Sequence, residues 1–150
     1  MIPAPPPTDQ PMAKLRTYVV EDSPVIRENL IATLEELVPV DVVGFAEDED
    51  TAVRWLREPA NRCQLAIVDI FLKHGSGLGV LQAMHDSTRL PKLVVLSNFA
   101  TPDMRERCLE LGADRVFDKS NEIDTLIRYC EQLASGDGAA VAPDSFGPIA

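Results

Sequence analysis

The stretch Gln64-Leu65-Ala66-Ile67-Val68-Asp69-Ile70 constrains the chain more than any other. Its branched apolar run reads as a strand buried on both faces, which requires a parallel sheet covered by helices. A carboxylate does not belong at the end of such a strand, yet Asp69 stands there, with Gly75, Ser76 and Gly77 shortly after. A capping or turn role suits an aspartate at an element end. A chemical role becomes the better reading if other strands bring complementary groups to the same rim.

Other apolar runs recur along the chain at the spacing of alternating strands and helices. Thr17-Tyr18-Val19-Val20 is a short strand ending in Glu21-Asp22. Ser23-Pro24 supplies an N-cap with proline at the first helical position. Ile26, Leu30, Leu34 and Leu37 then repeat at helical spacing, predicting an inward face for a helix that stops before Pro39. Val40 to Phe45 is a second strand, and the acidic Glu47 to Asp50 leads into a helix carrying Ala52, Trp55 and Leu56. Trp55 reads most simply as a core or edge anchor.

After the Asp69 strand, Val80, Leu81 and Met84 mark a third helix. Leu93 to Leu96 is a fourth strand ending in Ser97-Asn98. Thr101-Pro102 starts a fourth helix with Met104, Cys108 and Leu111 inward and Gly112 as its stop. Arg115-Val116-Phe117 is a fifth strand ending at Asp118-Lys119, and Ile123, Leu126, Ile127, Cys130 and Leu133 line the last helix. Cys63, Cys108 and Cys130 are widely spaced in apolar surroundings, so they read as reduced core thiols rather than disulfides or zinc ligands.

The expected architecture is α/β: a flavodoxin-like, doubly wound parallel sheet of five strands in the order 2-1-3-4-5, with helices on both faces. Residues 14–135 form one domain. Residues 1–13, rich in proline, and residues 136–150, rich in Gly, Ala, Pro and Ser, read as loose tails. No recognisable output module follows Ala134, which suggests a stand-alone domain. A net charge of −10 argues against a nucleic-acid surface. No apolar run approaches the roughly 20 residues that span a bilayer, and no export signal is visible.

In that strand order the first and third strands sit side by side where the winding reverses, and ligands bind there, outside their carboxyl ends. Glu21, Asp22, Asp69, Ser97 and Lys119 all emerge on this rim. Three crowded carboxylates repel: two unit charges about 4 Å apart cost about 4 kcal/mol at an effective dielectric of 20. Carboxylates together with a backbone carbonyl suit a hard cation, Mg²⁺ first and Mn²⁺ second. A lysine and a hydroxyl opposite match the oxygens of a phosphoryl group. A carboxylate free to attack phosphorus would form an acyl phosphate.

With Val20-Glu21-Asp22-Ser23, Asp69 followed by Ser76-Gly77-Leu78, Ser97, and Gly112-Ala113-Asp114 leading to Lys119, the chain resembles the receiver domain of bacterial response regulators. The likeness runs from about Lys14 to Ala134. It implies that Asp69 accepts a phosphoryl group from a phosphohistidine on a histidine kinase or phosphotransfer protein. It implies Mg²⁺ held by Asp22, by Asp69, by Glu21 through water and by the Phe71 main-chain carbonyl. Lys119 would pair with a phosphoryl oxygen, and Ser97 would move to bond it. The partner surface would lie around the first helix and the loop after the fifth strand. The resemblance also implies a cytoplasmic protein, a monomer or weak homodimer, signalling to a further protein target.

Three departures stand out. Val116 occupies a position where the family often carries an aromatic switch residue, and Phe117 next to it should face the other side of the strand. Asn98 replaces a small residue, and Lys73-His74 adds positive charge to a loop that often carries proline. With Val116 in place, phosphorylation is expected to disturb Ser97 but scarcely the fifth strand. Gly75-Ser76-Gly77-Leu78-Gly79 lacks the spacing of a nucleotide-binding loop and reads as a flexible connection. Two rivals are a haloacid-type aspartyl phosphatase, which would want a second Asp where Phe71 stands, and an unphosphorylated docking scaffold.

Overall fold

The computed structural model describes residues 14–85 and 91–135, so both expected tails lie outside the described residues. Strands and helices alternate along the chain: β1 (Leu15–Val20), α1 (Pro24–Leu37), β2 (Val40–Ala46), α2 (Glu49–Arg57), β3 (Leu65–Val68), α3 (Gly77–Met84), β4 (Lys92–Ser97), α4 (Pro102–Glu110), β5 (Arg115–Asp118) and α5 (Ile123–Ala134). All strand pairs are parallel, in the order β2-β1-β3-β4-β5. The predicted topology is therefore the observed one. Among the described residues no helix is long and apolar enough to cross a membrane.

The pleat sorts side chains onto two faces. Tyr18, Val20, Ala66, Val68, Leu93, Val95 and Val116 pack with Ala52 of α2, Val80, Leu81 and Met84 of α3, and Cys108 of α4. Leu15, Leu65, Ile67, Val94, Leu96 and Phe117 pack on the opposite side with Leu34 of α1 and Leu126, Tyr129 and Cys130 of α5. The alternation along each strand is what a period of two requires. Val116 and Phe117 face opposite sides, as expected. Trp55 stacks on Tyr18 with ring centroids 4.1 Å apart, anchoring α2 beside the edge strand β2.

Local chemistry fixes the helix ends. Ser23, Asp48, Ser76 and Thr101 each accept a hydrogen bond from a backbone N–H in the first turn of the helix they precede. Gly112 takes a φ of +105°, and the Ala113 N–H reaches back to the Cys108 carbonyl, closing α4 where the sequence placed its stop. Asp114 then ties β5 to β4 by accepting from the Leu93 N–H at 2.8 Å.

The expected inward face of α1 needs correction. Ile26 and Leu37 are 42% and 53% exposed, whereas Arg27 and Leu34 are buried and Leu30 is half-buried. The inward stripe is Arg27, Leu30 and Leu34: the two central leucines are as expected, Arg27 takes the place of Ile26, and Leu37 turns outward. The thiols are free, as expected; Cys108 and Cys130 are buried and Cys63 only partly so.

Candidate functional site

Parallel strands all end on one side, so the residues just beyond β1, β3, β4 and β5 share a rim. Glu21 comes directly after β1 and its N–H donates to the Ala46 carbonyl, which fixes the start of the β1–α1 loop. Asp69 comes directly after β3 and its N–H donates to the Val20 carbonyl at 3.0 Å, which brings the two carboxylates side by side. Ser97 ends β4, and the Lys119 N–H donates to the Ser97 carbonyl at 3.0 Å just after β5.

Glu21, Asp22 and Asp69 each offer a carboxylate oxygen within 4.8 Å of the others. Lys119 Nζ donates to Glu21 Oε1 at 2.7 Å and to Asp69 Oδ2 at 3.1 Å. Glu21 and Asp69 are buried, at 3% and 8% exposure, so these ion pairs have little solvent screening. Burial pushes the Asp69 carboxyl up to about 6, against the pull of Lys119 and with a smaller push from Glu21. For Lys119 burial opposes the charge, but the bonds to Glu21 and Asp69 outweigh it and raise the pKa. The ammonium stays charged. An all-oxygen donor set of this kind fits a hard divalent cation, since one lysine leaves most of the negative charge uncompensated.

The remaining predicted residues occupy the same rim. Ser97 is fully buried and its Oγ accepts from the Phe99 N–H at 3.0 Å. Asn98 is exposed. Phe71 lies two residues after Asp69, its ring half exposed and meeting Phe99 edge-on at 4.8 Å. Gly77 packs so closely that a Cβ there would lie 2.1 Å from the Asp69 carbonyl oxygen, so only glycine allows α3 to start against this backbone. Lys73 and His74 line a small groove with Asp22, Glu47 and Asp48, beside the acidic cluster rather than within it.

Sequence reasoning missed two groups around this rim. Arg27 points inward from α1, donates from Nη1 to the Glu21 carbonyl and to Glu47 Oε2 at 3.0 Å each, and lies 4.1 Å over the Phe45 ring. Its i, i+3, i+7 relation to Leu30 and Leu34 was the available signal. Arg105 joins the loop after β4 to β5 and the start of α5, donating to the carbonyls of Ala100 and Val116 and to Glu122 Oε1. No local pattern announces it, because its acceptors come from the loop before α4, from β5 and from the N-cap of α5.

Comparison with known proteins identifies the family to which this fold belongs. The family model described as the response regulator receiver domain matches residues 17–131. A probable transcriptional regulatory protein of Picosynechococcus is 31% identical over 125 residues, covering 80% of this chain and 49% of that protein. A protein-glutamate methylesterase/protein-glutamine glutaminase of Methanospirillum hungatei is 31% identical over 102 residues, covering 67% of this chain and 29% of that protein. The chain thus spans half or less of the length of these relatives. Among solved structures, the Francisella response regulator 1452 receiver domain superposes with a TM-score of 0.71 at 19% identity, covering 82% of this chain and 98% of that one. The response regulator domain of Thermotoga maritima CheB gives 0.69 at 19% identity, covering 84% and 97%. These structural likenesses speak for the fold. With the matched sequence spanning all five strands, the chain belongs to the receiver domains of response regulators, the modules of two-component signalling.

Proposed function

We propose that the chain is a phosphoryl-accepting switch in which Asp69 takes a phosphoryl group from a phosphohistidine of a histidine kinase or phosphotransfer protein. The supporting observation is the Lys119 ammonium bridging two buried carboxylates, Glu21 and Asp69, from neighbouring strands, with Asp22 converging on the same point. Glu21, Asp22, Asp69 and the Phe71 main-chain carbonyl would hold Mg²⁺, or Mn²⁺ in its place. When bound, the ion supplies positive charge that neutralises the carboxylates and the phosphoryl oxygens.

In the transfer, an Asp69 carboxylate oxygen forms a bond to phosphorus as the phosphorus–nitrogen bond of the donor breaks, and the imidazole leaves with the electron pair. With its pKa near 6, Asp69 is mostly ionised at neutral pH and so available as the nucleophile. Lys119 exchanges part of its bonding to Asp69 for a phosphoryl oxygen. Ser97 gives up the Phe99 N–H and turns its hydroxyl to the same group, which draws the β4–α4 loop inward. The two loop arrangements would differ in their contacts to a downstream protein, and phosphorylation shifts the population between them. Such a protein would work in the cytoplasm, the side to which the kinases present their phosphohistidines.

Incubation with Mg²⁺ and acetyl phosphate should label Asp69 once, detectable by mass spectrometry, and Asp69→Asn should abolish the label. Rapid turnover of small phosphoesters would instead favour a phosphatase. The absence of any adduct, with no Mg²⁺ uptake by titration calorimetry, would sink the reading.

A further inference from the structure

The glycine-rich run after Asp69 is shaped around a carboxylate of this same chain. Glu49, the first residue of α2, lies across it. Its Oε1 accepts from the Ser76 N–H at 2.9 Å, and its own N–H donates to the His74 carbonyl at 3.2 Å. The residue therefore grips the loop on both sides of Gly75. A Cβ on Gly75 would stand 2.4 Å from Glu49 Cβ, and one on Gly79 would stand 2.3 Å from the Glu49 carboxyl. Both are far inside contact distance, and Gly75 also has a φ of +83°. The carboxylate sits beside the first turn of α3, where free N–H groups favour negative charge.

The grip lies one step from the acidic cluster. Ser76 pairs with Phe71 in an isolated antiparallel bridge. The Ser76 hydroxyl donates to the Ile70 carbonyl at 3.4 Å, and the Gly77 N–H donates to the same oxygen at 2.8 Å. The backbone between Asp69 and Phe71 is thus tied to Ser76, and Ser76 is tied to Glu49. Among the described residues Glu49 is not one of the carboxylates that converge on the candidate cation position. Its carboxylate is occupied with the loop instead.

We propose that Glu49 is a positioning residue for the acidic site, clipping the β3–α3 loop so that the Phe71 carbonyl stands in register with Asp69. This deepens the phosphoryl-switch reading and rests on it. A loop left free would have to be ordered by the incoming ion, which lowers affinity. The run read from sequence as a flexible connection is instead a fitted seat.

Three variants of the full chain test this. Glu49→Ala removes the clip and should weaken Mg²⁺ binding about tenfold by titration calorimetry, the lower end of what losing a supporting partner does. Glu49→Gln keeps a side-chain carbonyl that can accept from Ser76, and should stay close to wild type. Glu49→Ala with Gly79→Ala fills the vacated space with a better helix former, so it should recover melting temperature without recovering Mg²⁺ affinity. In metal-free protein, amide exchange at Ser76 and Gly77 should quicken in Glu49→Ala.

Glu49→Ala that lowers the melting temperature while leaving Mg²⁺ affinity intact would overturn the proposal, as would a double variant that recovers both. Unchanged amide exchange would overturn it independently of any metal. Wild-type protein that takes up no Mg²⁺ would overturn the phosphoryl-switch reading itself, a different result from any of these.

Discussion

One ammonium facing two buried carboxylates leaves the site short of positive charge. Lys119 satisfies Glu21 and Asp69 at once, yet burial still holds the Asp69 carboxyl up near 6. Ionising Asp69 therefore costs the folded chain more than the unfolded one, where it titrates near 3.8. Its contribution to stability is full below that value and is lost as pH rises through about 6. Asp69→Asn should accordingly raise the melting temperature in chelator at neutral pH, and the gain should shrink as the wild-type carboxyl becomes protonated. Melts over that pH range check both halves; a gain independent of pH would contradict the burial argument. Lys119→Met does the reverse. It strands two buried carboxylates, and should cost about 3–5 kcal/mol by urea unfolding at neutral pH, partly restored by Mg²⁺.

At the scale of elements, α1 shows why hydropathy alone misplaces a face. Ile26 looked inward because it is apolar, but the Glu21 carbonyl and the Phe45 ring give the Arg27 guanidinium partners that replace the hydration it loses on burial, while its stem packs inward. Those partners lie on other elements, so a helical wheel cannot see them. The ordering of costs is then clear: Arg27→Ala should destabilise by about 1–3 kcal/mol, whereas Ile26→Ser should stay within about 0.5 kcal/mol. Chemical unfolding of the two variants would reverse the hydropathy expectation. Arg105 makes the same point on the other side of the rim. Val116 lacks the ring of an aromatic switch, and strand five was expected to feel little of the phosphorylation. The Arg105 guanidinium instead bonds the Ala100 carbonyl of the loop after Ser97 and the Val116 carbonyl of β5. If Ser97 moves as proposed, that movement would have a polar route into β5. Beryllofluoride should shift the Val116 amide resonance in the wild type, and Arg105→Ala should confine the shifts to the Ser97 loop.

Over the whole molecule, the fold was legible because burial on both faces leaves an unbroken apolar signal in Leu65–Val68 and Leu93–Leu96, and parallel order is implied by alternation with helices. The rim was legible for a related reason: Glu21, Asp69, Ser97 and Lys119 are polar residues where apolar runs stop. Glu49 and Arg27 were not, since they stand within helices and their partners lie on other elements: Ser76 and His74 of the β3–α3 loop for Glu49, and the Glu21 carbonyl, Glu47 and Phe45 for Arg27. The same division shapes how the molecule should answer a divalent cation. Two apolar clusters hold the sheet, and the carboxylates are gathered at one end where only local charge can relieve them. A general acidic balance would be screened by any salt, since the Debye length falls to about 8 Å at physiological ionic strength. A built site is different, because buried pairs are screened little and a bound ion stabilises by mass action, about 2.7 kcal/mol at one hundred times its dissociation constant. Mg²⁺ should therefore raise the melting temperature roughly with the logarithm of its concentration once that exceeds the dissociation constant, while KCl at matched ionic strength should not. Asp22→Ala, which leaves the Lys119 pairs in place, should flatten the Mg²⁺ response without lowering the melting temperature in chelator. Equal stabilisation by the two salts would mean that the response belongs to the net charge of −10 and not to the rim.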